Sequence, residues 1–171
     1  MNELNKKLRD RAIELGLCQQ WQGEWEKDRT QDELIKMWKK GSDFCFEKHD
    51  FPNKEFIKAY FDRKILNDNL VFVDEVVNVV NGGNGTWVLN GKCTGNISFG
   101  GFAAARLYVR HDCDVSIEVS GMSKVFVSVY NNAKVNVKQS DSSSVYVYTH
   151  GENCAVETSG NVIQRDRKSV V

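Results

Sequence analysis

The sequence predicts an α+β protein in which a small helical N-terminal region is followed by a β-solenoid of ten-residue repeats. Three observations predict this fold. From about Glu75 to Gln164 the chain repeats every ten residues, apolar side chains recur at the third and fifth positions of most repeats, and the seventh position holds Gly, Asn, Asp or His. A fixed short period is typical of stacked repeats, in which one unit is too small to bury its own apolar face.

Residues 1–67 carry helical patterns. Leu4, Leu8 and Ala12 recur at the spacing of one helical face, which predicts a first amphipathic helix. Thr30 stands three residues before Glu33, the capping-box spacing in which each side chain satisfies a backbone N–H of the first turn. This spacing predicts the start of a second helix.

A third helix is predicted after Pro52, because proline suits the first turn of a helix. Phe56 and Tyr60 are expected on its inner face, with Ile57 and Phe61 as further candidates. The many Trp and Phe side chains of residues 1–67 need a partner surface. We therefore expect this region to cap one end of the repeat stack, since an open end exposes strand edges and core side chains.

Residues 68–164 form the predicted solenoid. Val115–Val119 alternates like a strand, and Ser120–Lys124 reads as the corner that follows it, so one repeat is one strand and one corner. Ten extended residues cannot easily enclose Leu, Trp and Phe side chains. A coil of two repeats, with two parallel sheets facing one another, is therefore favoured over an antiparallel meander or barrel.

The outward positions of alternate repeats differ in composition, as a coil of two repeats requires. One set is small and polar: Asn96, Ser98, Gly100, Ser116, Glu118, Ser120, Asn136, Lys138 and Ser140. The other set is largely aromatic and basic: Arg106, Tyr108, Arg110, Phe126, Ser128, Tyr130, Tyr146, Tyr148 and His150. A meander could also place alternate strands in different surroundings, so this sorting favours the solenoid without proving it.

The aromatic and basic set is the candidate binding surface. Its predicted binding residues are Arg106, Tyr108, Arg110, Phe126, Tyr130, Tyr146, Tyr148 and His150. Aromatic side chains interleaved with Arg resemble the composition of binding hot spots. Three alternatives remain open: the helical region covers this face, a second copy covers it, or the aromatic ladder only stabilises the sheet.

Catalytic and metal-binding patterns are weak. The three histidines are far apart in sequence, and no base and orienter are paired. Cys45 and His49 have a helical spacing that could supply two metal ligands, but nothing completes a site. Cys93 and Cys113 share a column with Ala133, which favours a small-residue column over a disulfide. We therefore predict no enzyme activity, no catalytic or metal site and no cofactor.

Charge and composition limit the classes of partner that the protein can have. The chain has 23 Lys and Arg and 23 Asp and Glu, so it lacks both the basic excess of most nucleic-acid binders and the acidic excess of a DNA mimic. No stretch approaches a membrane span, and five cysteines without a paired framework fit a reducing compartment. We predict a cytoplasmic protein with a protein partner, compatible with a homo-oligomer, and with a basic tail at residues 165–171. The alternatives for this C-terminal segment are an edge-covering strand and a partner-binding peptide.

The segment Met122–Val135 resembles the short "Asn-Ala-Lys-Val" strand repeats of uncharacterised proteins of bacteriophages and mobile elements of gut bacteria. The resemblance implies a β-solenoid that binds a host macromolecule, and it supplies no catalytic residues. The chain departs from the simplest members at Trp87, Phe99 and Gln139.

The predicted function is accordingly a non-enzymatic interaction module, for example a host-defence inhibitor or an adaptor. The alternative is a surface-recognition or carbohydrate-binding or carbohydrate-acting solenoid of the phage-fibre type. This alternative is disfavoured by the cytoplasmic prediction and by the lack of clustered acids.

Overall fold

The computed structural model describes residues 1–25 and 27–167. The chain divides into two compact units, Met1–Asn69 and Leu70–Val171, close to the boundary that the sequence predicts. The helices of the first unit are α1 (Glu3–Glu14), α2 (Gln19–Glu24), α3 (Gln31–Lys40), a π-helix (Asp43–Lys48), α4 (Lys54–Tyr60) and α5 (Arg63–Asp68). The helical region is therefore confirmed, whereas α2, the π-helix and α5 were not predicted.

Polar side chains fix where these helices begin. The capping box of α3 is present, with Thr30 accepting from the Glu33 N–H and the Glu33 carboxylate accepting from the Thr30 N–H. Asn2, Asn53 and Asp62 cap α1, α4 and α5 in the same way, each accepting a backbone N–H three residues later. Each such cap contributes about 1 kcal/mol to helix stability.

The inner face of α4 differs from the prediction. Ile57 is the buried residue of this helix, whereas Phe56 is half-buried and Tyr60 is exposed. Phe56 and Tyr60 lie one helical turn apart and stack on each other at 4.4 Å. The two rings therefore bury part of their apolar surface against each other.

The second unit is a parallel β-solenoid. Its strands are β1 (Val71–Val73), β2 (Gly85–Asn90), β3 (Thr94–Phe99), β4 (Ala104–Val109), β5 (Asp114–Val119), β6 (Lys124–Tyr130), β7 (Lys134–Gln139), β8 (Ser144–His150), β9 (Ala155–Ser159) and β10 (Val162–Asp166). Sheet A has the order β1-β2-β4-β6-β8-β10 and sheet B the order β3-β5-β7-β9, and every pairing is parallel. The coil of two repeats is confirmed, and the antiparallel meander is wrong.

Equivalent residues stack at an offset of 20 in the centre of the solenoid. In sheet A, Leu107 pairs with Val127 and Val127 with Val147, and all three side chains are fully buried. In sheet B, Ile117 and Val137 stack in the same manner. The inward side chains of the two sheets form one continuous apolar core.

The corners explain the residue types at the seventh position of each repeat. From Asn81 to Gly151 these residues have φ between 53° and 114°, the left-handed region that Gly, Asn and Asp tolerate best. Their side chains also connect successive coils. Asn131 Oδ1 accepts the His111 N–H at 3.0 Å, and His111 Nδ1 accepts the Gly91 N–H at 2.9 Å.

The last coil departs from the predicted register. Val135 pairs with Val156 rather than Ala155, so one extra residue lies in the preceding corner. Strand β10 pairs with β8 and includes Arg165 and Asp166, which the sequence assigned to the tail. Residues 168–171 of the predicted tail lie outside the described residues.

Candidate interaction surface

The outward side of sheet A carries all eight predicted binding residues, which we call the aromatic-cation face. Alternation along β4, β6 and β8 directs these side chains away from the core. Parallel pairing then places equivalent rings directly above one another. The Phe126 and Tyr146 rings stack at 5.0 Å between centroids, and Tyr130 and His150 stack at 4.3 Å.

Cationic side chains lie over these rings. The Arg106 guanidinium is 5.2 Å from the Phe126 centroid, and Lys124 Nζ lies 5.4 Å from Phe126 and 5.9 Å from Tyr146. At the next coil, the Arg167 guanidinium is 4.6 Å from the Tyr148 ring. Contacts of this type contribute about 0.5–1 kcal/mol each at exposed sites. They also favour positions of these cations beside the rings.

Three of the predicted binding residues are buried. Arg110, Tyr108 and Tyr130 are only 1%, 7% and 4% exposed. Arg110 Nη1 donates to Asn90 Oδ1 at 2.7 Å, and Asn90 Nδ2 donates to the Phe72 carbonyl at 3.3 Å. Outward from the solenoid core therefore does not mean open to solvent, and these three residues do not offer a free binding surface.

The remaining residues of the face are accessible. Arg106 is exposed, and Phe126, Tyr146, Tyr148 and His150 are half-buried. Together with three exposed cations beside them they form the accessible patch, defined as Arg106, Lys124, Phe126, Tyr146, Tyr148, His150, Arg165 and Arg167.

Lys124, Arg165 and Arg167 belong to the accessible patch but are not among the binding residues that the sequence predicts. Arg165 pairs with Tyr148 in register, so the Arg165 side chain points outward. The sequence predicts this residue in a tail beyond the last repeat. Two apolar residues followed by two polar ones, Val162-Ile163-Gln164-Arg165, do not alternate, so the sequence contains no strand signal that could have extended the repeat.

The accessible patch is positively charged. None of the described outward positions on sheet A carries a carboxylate, whereas Arg106, Lys124, Arg165 and Arg167 are cationic. Sheet B has both signs on its outer side, with Glu118 paired to Lys138 in register. A chain of zero formal net charge thus concentrates cations on one face.

The cysteine column has the expected arrangement. Cys93 and Cys113 are buried free thiols that precede two strands paired in register. The neighbouring Cys93 thiol and burial raise the pKa of Cys113. Both side chains are fully buried, and each thiol donates to a backbone carbonyl, Cys93 to Asn90 and Cys113 to Gly91, so this column has the properties of a packing element.

Metal-binding clusters and membrane-spanning helices are absent from the part of the chain that the structure describes. Residues 1–25 and 27–167 contain no group of three or more His, Cys, Asp or Glu side chains suited to a metal ion. No helix within these ranges has the length and apolar character needed to cross a bilayer. Comparisons with protein families, curated proteins and solved structures give no match to this chain. The functional interpretation therefore depends on the geometry of the patch.

Proposed function

We propose that this protein is a non-enzymatic interaction module whose accessible patch binds an acidic surface of a protein partner. The observation that carries this proposal is the row of half-buried rings flanked by cations on one regular sheet. Aromatic and Arg side chains dominate binding energy at protein interfaces. A preorganised sheet also reduces the entropy lost on binding.

Charge complementarity indicates the chemistry of the partner. Four cations without an outward carboxylate favour an acidic surface, which would be attracted at long range and held by charge-assisted hydrogen bonds. The resemblance to proteins of bacteriophages and mobile elements makes a host protein of the cytoplasm the proposed partner, with inhibition or adaptation of that protein as the proposed role.

Ring packing favours a protein over a nucleic acid or a sugar. Bases and sugars stack on open ring faces, but Phe126 lies between Arg106 and Tyr146, which cover its two faces. Tyr148 is covered by Arg167 on one side. What the patch presents most freely are ring edges and cationic groups, which suit carboxylates and apolar side chains.

Affinity capture from host cell lysate tests the proposal. The immobilised wild type would be compared with a variant carrying Arg106→Gln, Tyr146→Ser and Arg167→Gln. A matched control on sheet B carries Asn136→Ser and Lys138→Gln, which are likewise outward positions. Circular dichroism would verify that all three proteins fold, and nuclease treatment of the lysate would remove nucleic acid.

The proposal predicts an acidic protein that is retained by the wild type and by the sheet B control but lost by the patch variant. Its retention should also weaken with added salt. Capture that depends on nucleic acid, or retention by the patch variant equal to that of the wild type, would contradict the proposal.

A further inference from the structure

The helical unit contains a cavity of about 280 Å³ with a mainly apolar wall. Residues from α1, α2, α3, the π-helix, α4 and α5 all contribute to this wall. Its aromatic members are Trp21, Trp25, Trp38, Phe44, Phe51 and Phe61. These six rings form much of the cavity wall.

The cavity is partly open to solvent, so a small molecule can enter it. Ligand pockets are typically clefts of about 300–1,000 Å³ lined mainly by apolar and aromatic side chains, and this cavity is close to the lower limit of that range. An apolar cavity of about 150 Å³ already stays dry and takes up benzene. The cavity described here is larger and is lined by rings, so it can accommodate an apolar guest without rearrangement.

Two indole N–H groups of the wall are already engaged within the protein. Trp38 Nε1 donates to the Phe51 carbonyl at 2.9 Å, and Trp25 Nε1 donates to Asn5 Oδ1 at 3.0 Å. These two indoles therefore present carbon atoms to the cavity. Among the described residues, the only charged side chains on the lining are Asp43 and Lys48, and both are exposed. The interior thus selects for an uncharged molecule.

The ring geometry selects for an aromatic molecule. Phe44 meets Phe51 edge to face at 6.1 Å, and the lining residue Trp38 packs edge to face at 5.1 Å on Phe46, which lies behind the wall. Walls fixed at such angles offer both faces and edges to a guest ring, and each aromatic pair adds about 0.5–1.5 kcal/mol beyond area burial.

The π-helix is an independent observation at the same place. Helices with this hydrogen-bond pattern are rare, and they occur frequently at functional sites. Asp43–Lys48 adopts it here, and its residues Asp43, Phe44, Cys45 and Lys48 all line the cavity. The wider helix therefore forms one wall of the cavity.

We propose that this cavity is a binding site for a neutral aromatic small molecule. At the packing density of a protein interior the volume suits roughly 10–14 non-hydrogen atoms, about the size of two fused rings with a small substituent. The site is separate from the accessible patch, and the proposal does not depend on the patch binding a partner.

Isothermal titration calorimetry of the full chain with 2-naphthol tests this site, with 1-decanol as an aliphatic probe of similar size. Two variants fill the cavity, Ala12→Leu and Cys45→Leu, because both side chains line it. The matched control is Ala59→Leu, the same change at an exposed position of α4 outside the lining. Circular dichroism would check that each variant folds.

We expect 2-naphthol to bind the wild type and Ala59→Leu equally, and to bind whichever filling variant folds at least tenfold more weakly. Nuclear Overhauser effects between 2-naphthol and indole protons of the wild type would locate the ligand directly. The proposal is overturned if 2-naphthol does not bind the wild type up to its solubility limit. Equal binding by a folded filling variant, or equal affinity for 1-decanol, would overturn it as well.

Discussion

Two corner glycines, one coil apart, allow the stacking geometry to be tested by a matched pair of substitutions. Gly101 and Gly121 have nearly the same φ, 64° and 66°. A Cβ at Gly121 would lie 2.8 Å from Gly101 N and 2.9 Å from Gly101 O, whereas a Cβ at Gly101 would have no heavy atom within 4 Å. Alanine at Gly101 and alanine at Gly121 therefore differ only in the steric contact that the new methyl group makes with the neighbouring coil.

The expected magnitudes follow from that difference. Alanine in the left-handed region costs about 1–2 kcal/mol, which is the whole expected effect of Gly101→Ala. At Gly121 the methyl group also presses on the corner where the Met122 N–H donates to Gly101 O at 2.7 Å. Overpacking of this kind adds about 1–3 kcal/mol. Gly121→Ala should therefore destabilise the solenoid by about 2–5 kcal/mol.

Urea unfolding, followed by circular dichroism at the β-strand band, measures both variants against the wild type. We expect Gly121→Ala to lower the free energy of unfolding clearly more than Gly101→Ala. Equal destabilisation of the two variants would refute the reasoning, because it would mean that the corners of successive coils are not in close contact.

Three further predictions concern the core, the corners and one lysine. Val127→Asp should destabilise the solenoid by about 4 kcal/mol or more, because the carboxylate would be buried without a partner; a cooperative wild-type melting curve would contradict this. Asn131→Ala should cost about 1.5–3.5 kcal/mol in urea unfolding, since the His111 N–H loses its acceptor and alanine is strained in the left-handed backbone of this corner, whereas the exposed Asn132→Ala should cost under about 0.5 kcal/mol. Burial lowers the pKa of Lys39 to about 8 from its usual 10.5. Between these two pH values the unfolded chain binds more protons at Lys39 than the folded chain does. The free energy of unfolding of the wild type should therefore rise with pH relative to that of Lys39→Met. A difference between the two proteins that does not change with pH would refute this.

Much of the solenoid could be predicted because its physical causes are local. The alternation around Val127 and the turn residues such as Asn131 follow from strand pleating and from the left-handed corner backbone. The parity of outward residues then indicated two repeats per coil. The extra residue before Val156 could not be located, because the corner residues 151–154 have no apolar alternation that fixes their register.

The candidate site was only partly predictable. Alternation correctly places Tyr108, Arg110 and Tyr130 outside the solenoid core, but it does not indicate how much of each side chain is exposed. Their burial is a property of tertiary structure. Arg165 was missed because it begins the basic run Arg165-Asp166-Arg167-Lys168, whose composition is typical of a tail. The aromatic cavity of the helical unit likewise depends on how several helices pack.

Footprinting by mass spectrometry, in which hydroxyl radicals label accessible aromatic side chains, tests the central claim most directly. The protein would be labelled alone and again in host cell lysate. The proposed interaction predicts lower labelling of Phe126, Tyr146 and Tyr148 in lysate. Phe102, a corner residue that is 80% exposed, should be labelled equally in both. Unchanged labelling of the accessible patch, or protection confined to Phe102, would contradict the proposed binding surface.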